Sequence, residues 1–170
     1  MMFEKPLTDK QILKLFIELV QEHKSVTINT ADPIKRSDRC IEDFTYRRMS
    51  AMKLIHLLDD TNIQRQILKD TNIVIYNNHR NITFTVRNDK EELCIKIIDQ
   101  LVETVKHSRE QKITISLFQP TINNDLVKNF LANEKIDAWF FLYVLESKRD
   151  ILYKKLKLIS SSAEYLTLSA

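Results

Sequence analysis

Glycine is absent from all 170 residues. At the usual frequency of about 7%, a chain of this length would carry roughly 12. The absence excludes several kinds of chemistry. A phosphate-binding loop needs glycines so that backbone N–H groups can wrap the phosphates. A dinucleotide fold needs G-x-G-x-x-G beside the pyrophosphate. The nucleophile elbow needs G-x-S-x-G for its strained turn. Protein kinases need a glycine-rich lid. None of these can exist here in standard form.

Other scarcities narrow the reading further. There are two cysteines, Cys40 and Cys94, far apart and without C-x-x-C spacing. They read as reduced, buried thiols of an intracellular protein. The longest apolar run is AWFFLYVL, Ala138 to Leu145. That is far short of the ~20 residues that span a membrane. The opening MMFEKPLTDK has no apolar core of a secretory signal. The expectation is an intracellular protein, cytoplasmic or nuclear, neither secreted nor in a membrane. Charge of one sign is also lacking: 26 Lys and Arg face 23 Asp and Glu, for a net +3. Such a balance permits an acidic partner without demanding one. Ile, Lys and Asn are abundant, and their codons are AT-rich. The composition fits a gene from an AT-rich genome, viral genomes among them.

The segments that remain are patterned. Thr8 and Gln11 form a capping box that opens a helix ending near His23. SVTIN (Ser25–Asn29) alternates as a strand. One long helix is expected from Ser37 to Leu58, and a short one from Thr61 to Lys69. The stretch IVIYNNHRNITFTV (Ile73–Val86) is a β-hairpin. In it Ile82, Phe84 and Val86 face inward and Thr83 and Thr85 outward. Its turn has asparagines and a histidine where glycine is usual, and these tolerate positive φ best after glycine. Asn78 is the position expected there. Asn88 caps another helix, whose buried stripe is expected at Leu93, Ile97, Leu101 and Val105, with Cys94, Ile98 and Val102 beside them. KITISLF (Lys112–Phe118) is a strand closed by Pro120. Asn124 or Asn123 caps a helix to about Ala132. AWFFLYVL, rich in aromatic and β-branched residues, reads as a buried strand, and a long helix with Ala138, Phe141, Leu142, Leu145 and Leu152 on one side is the alternative. LKLI and YLTLS also alternate. No repeat, linker or low-complexity tract appears. The expectation is a single α+β domain over residues 1–170. It has a hairpin at about 73–87 and a small mixed or antiparallel sheet packed by several helices.

Four constellations could carry function. Trp139, Phe140 and Tyr143 are residue types enriched at binding hot spots, so the aromatic run is either core or a protein interface. The stretch Lys35–Lys53 carries six cations against three carboxylates. Arg36, Arg39, Arg47, Arg48 and Lys53 could pair with phosphates while Tyr46 stacks on a base. The interleaved Asp38, Glu42 and Asp43 favour an ordinary solvated face instead. A second basic cluster spans Ser147–Lys157. His56, Asp59 and Asp60 have the i, i+3, i+4 spacing of a metal site, yet read more simply as a helix end with capping carboxylates. No catalytic, cofactor-binding or metal residue is assigned. The chain reads as a non-catalytic protein–protein interaction module or complex subunit, self-association included. Nucleic-acid binding through Lys35–Lys53 is the alternative, and a metal-dependent enzyme the third reading.

Overall fold

The computed structural model describes residues 7–46, 49–78, 80–107, 113–116, 121–122, 124–148, 157–161 and 165–169. The chain divides into two compact units, Met1–Val86 and Arg87–Ala170. Both combine helices with antiparallel strands, so the architecture is α+β. Among the described residues, no helix is long and apolar enough to cross a membrane.

The first unit begins with α1 (Asp9–His23). Its capping box is formed as the sequence predicts. Thr8 N–H donates to Gln11 Oε1 at 2.9 Å, and Gln11 N–H donates to Thr8 Oγ1 at 3.2 Å. Lys24, at φ 68°, turns the chain into β1 (Ser25–Asn29). The single helix expected over Ser37–Leu58 is two, α2 (Arg39–Thr45) and α3 (Ala51–Leu58). Thr45 ends α2 by returning its hydroxyl to the Ile41 carbonyl at 2.9 Å. Tyr46 then leaves helical geometry, and Ser50 starts α3 by accepting from Lys53 N–H at 3.1 Å. A hydroxyl that can bond the backbone competes with helix continuation at both places. Helix α4 (Thr61–Asp70) is capped by Asp60 rather than Thr61, with Asn62 N–H donating to its carboxylate at 2.8 Å.

The hairpin follows as β2 (Ile73–Asn78) and β3 (Asn81–Val86). The sheet order is β1-β3-β2, all antiparallel. One face carries Val26, Ile28, Ile73, Ile82 and Phe84. It closes on Ile12, Phe16 and Val20 of α1, Ile41 of α2, Leu54, Ile55 and Leu58 of α3 and Ile67 of α4. Phe84 meets Phe16 edge-on, 4.9 Å between ring centres. The opposite face corrects the expectation for the threonines. Thr83 and Thr85 are 0% exposed. Their hydroxyls are matched across the strands: Ser25 Oγ donates to Thr85 Oγ1, and Thr27 and Thr83 share a bond, both at 2.9 Å. Asn29 Nδ2 donates to Asn81 Oδ1 at 3.1 Å. A hydroxyl so paired can be buried without a desolvation loss.

The glycine question resolves at other places than expected. Among the described residues, positive φ occurs at Lys24 and Lys135. Asn78 is a strand residue opposite Asn81, and His79 of the turn lies outside the described residues.

The second unit opens with α5 (Glu91–His107) and continues through β4 (Ile113–Ser116) and β5 (Thr121–Ile122). Asn88 accepts from Lys90 N–H at 2.8 Å just before α5. Of the expected stripe α5 buries Leu101 together with the flanking Cys94, Ile98 and Val102, whereas Leu93 is exposed. Pro120 lies outside the described residues. Asn124 caps α6 (Asp125–Glu134) by accepting from Val127 N–H. Lys135 ends it in the left-handed region, and the N–H groups of both Lys135 and Ile136 reach the Leu131 carbonyl. This is the position where helices ordinarily place glycine.

Of the two readings open for the aromatic run, strand and helix, the helix is the one formed, as α7 (Ala138–Ser147). Asp137 decides it, because its carboxylate accepts from the N–H groups of Trp139 and Phe140 at 2.8 and 3.4 Å. A helix apolar on all sides is a buried helix. Strands β6 (Lys157–Ser161) and β7 (Tyr165–Ser169) complete a second antiparallel sheet, ordered β5-β4-β7-β6.

Candidate functional site

The helical conformation of α7 sets the fate of the aromatic candidates. Phe140 is 0% exposed and Trp139 is buried, whereas Tyr143 is half-buried. Phe140 and Tyr143 stack at 6.2 Å with 26° between planes, and Phe141 meets Phe130 of α6 at 6.4 Å. These side chains are packing residues of the second unit.

The basic stretch is not one helix face. Lys35 and Arg36 lie on the loop between β1 and α2, Arg39 opens α2, Tyr46 follows its end, and Lys53 sits in the first turn of α3. All five are exposed, Tyr46 at 64%. Arg47 and Arg48 lie outside the described residues, as does most of the second basic cluster, residues 149–156. His56, Asp59 and Asp60 are exposed, with Asp59 ending α3 and Asp60 capping α4. Among the described residues, no group of three or more His, Cys, Asp or Glu is placed to hold a metal ion.

A feature the sequence reading missed lies in the first unit. A cleft of about 490 Å³ opens between α1 and α2, lined by Leu19, His23, Arg39, Cys40, Asp43 and Phe44. Leu19 and His23 are four apart on α1, and Cys40 and Phe44 four apart on α2. One face of each helix therefore contributes an apolar and a polar neighbour. That spacing was present in the sequence, but nothing there says the two faces meet. Leu19 and Phe44 pack against the core, and Phe44 touches Phe16 edge-on at 6.0 Å. His23, Arg39 and Asp43 supply polar groups around them.

Cys40 is the cleft's thiol, and its surroundings quiet it. Burial pushes its thiol up to about 11, and the carboxylates of Asp38 and Asp43 add to the rise. The thiolate is the reactive form, so a thiol held protonated at neutral pH is a poor nucleophile. Cys94 in the second unit is likewise pushed to about 11, by burial and then by Glu91. Around Cys40 the cleft offers apolar surface, a guanidinium, an imidazole and a carboxylate. Compared with protein-family models, with curated proteins and with solved structures, the chain matches none.

Proposed function

We propose that this chain is a non-catalytic, intracellular protein-binding module that contacts its partner through the first unit. The observation that carries the reading is the cleft between α1 and α2, where Leu19 and Phe44 are surrounded by His23, Arg39 and Asp43. An apolar centre with a polar rim is the ordinary anatomy of a protein interface. Exposed Tyr46 and Arg39 belong to the residue types that concentrate binding energy. The aromatic run of α7 supports the second unit's core instead of this surface.

The test uses crosslinking capture with the wild-type chain, an Arg39→Glu variant and a Tyr46→Ala variant, all checked for an unchanged thermal melt. A partner held by the wild type and released by both variants supports the reading. A partner retained equally by all three sinks this placement of the interface.

The exposed Lys35, Arg36, Arg39 and Lys53 favour a second reading, nucleic-acid binding. Its mark is a steep loss of affinity with salt. Anisotropy of a labelled single-stranded oligonucleotide, titrated at low and raised salt, separates the two. No binding at low salt removes the second reading.

A further inference from the structure

A sheet of three strands has two outer edges, and this one treats the β1 edge distinctively. Val86 N–H donates to the Lys24 carbonyl and Thr30 N–H to the Arg80 carbonyl, so even-numbered positions around β1 bond β3. The odd positions then point outward. Their groups are taken up by the loop that follows. Thr27 N–H donates to Asp38 Oδ2 at 2.7 Å, Asp38 N–H donates to the Thr27 carbonyl at 3.0 Å, and Asn29 N–H donates to Ser37 Oγ at 2.9 Å. Residues 30–38 thus form a strap along the edge of β1, imitating a fourth strand with one backbone rung and two side-chain oxygens.

The strap is bound differently from a strand. None of its nine residues is buried, and Ile34 at its tip is 44% exposed. The strand beneath is the opposite, with Val26, Thr27, Ile28 and Asn29 all buried. A segment tied by polar contacts, with no buried side chain, is among the first to open locally. What opening reveals is an unpaired strand edge, which templates pairing with another strand.

The sequence of β1 says which strand fits. It is symmetric in chemistry about Thr27. Antiparallel pairing with a second copy, centred on that residue, sets Thr27 against Thr27, Ser25 against Asn29 and Val26 against Ile28. The core face would then hold only apolar pairs. The other face would hold only hydroxyl and amide pairs, as in the Thr27–Thr83 and Asn29–Asn81 contacts already present. The outward groups of odd residues are those that such a register bonds.

We infer that the outer edge of β1 is a self-association site, closed by the 30–38 strap and opened when Ser37 and Asp38 release it, so that two copies pair β1 to β1. The strand edge and the strap lend no lining residue to the α1–α2 cleft, and the inference does not rest on the reading above.

The test is a full-length Ser37→Ala/Asp38→Ala double variant, with its mass measured by light scattering over a concentration series and its amide exchange followed by NMR. The wild type is expected at its monomer mass of 20.1 kDa. The double variant is expected to form a dimer as concentration rises, with slowed exchange at Thr27 and Asn29. A folded double variant that stays monomeric overturns the inference, and so does a dimer in which those two amides exchange freely. If the double variant does not fold, the wild type decides. Its Thr27 and Asn29 amides should exchange at least about tenfold faster than those of Val26 and Ile28, because strap opening costs less than sheet opening. Equal protection at all four positions overturns the strap as an opening element.

Discussion

Two lysines hold conformations that side chains with a Cβ avoid. Lys135 sits at φ 54°, ψ 46° and Lys24 at φ 68°. A left-handed residue that is not glycine costs about 1–2 kcal/mol, partly balanced by the entropy a glycine would lose on folding. Lys135→Gly should therefore raise stability by ~0.5–1 kcal/mol, read from the urea midpoint; a lower midpoint would refute the strain. The thiols are the other testable residues. Cys40, half-buried, and Cys94, buried, should label slowly with a neutral-pH thiol reagent until the chain unfolds, and rapid labelling in the native state would contradict their raised thiol pKa values. Their linkage to pH has a definite sign. Below the ordinary thiol range, folded and unfolded chains both keep the proton. As pH rises from there to about 11, the unfolded chain releases protons that the native thiols retain. The contribution of the thiols to stability falls across that window and is unchanged at neutral pH.

Single elements show where local pattern suffices and where it fails. The capping box at Thr8, the strand at Ser25–Asn29 and the hairpin at Ile73–Val86 were legible, because a short-range signal specified each one. The helix at Ala138–Ser147 was legible only as the lesser of two readings. Its aromatic and β-branched content argues for a strand, and periodicity is silent when every side is apolar. The usable signal was Asp137, a carboxylate placed immediately before the run. The break at Tyr46–Ser50 was similarly marked by Thr45 and Ser50, two hydroxyls at helix ends inside one apolar period. The α1–α2 cleft was invisible because it depends on which faces meet across about twenty residues of chain. The threonine face of the first sheet invites a double-mutant cycle. Thr83→Val strands the Thr27 hydroxyl in a buried place and should cost ~1–2 kcal/mol. Thr27→Val/Thr83→Val should cost clearly less than the sum of the two single changes. Additive losses would mean the shared bond at 2.9 Å contributes nothing.

At the scale of the whole molecule, residues 1–86 enclose a core of their own, from Ile12 and Phe16 on α1 to Ile82 and Phe84 on β3. The fragment 1–86 should therefore give a cooperative thermal transition by circular dichroism. A broad, non-cooperative melt would show that the first unit needs the remainder of the chain, as one domain over residues 1–170 would. The order of the sheet has a consequence for synthesis. Strand β1 pairs with β3, about fifty residues later, and at ~5–20 residues per second the nascent strand waits several seconds for its partner. The strap is made immediately after β1 and draws on residues only eight to eleven positions away. On the ribosome it can occupy one side of β1 at once, leaving open only the side that β3 must take. A nascent chain lacking the Ser37 and Asp38 acceptors would leave the tunnel with both sides of that strand available to neighbouring chains on the same message.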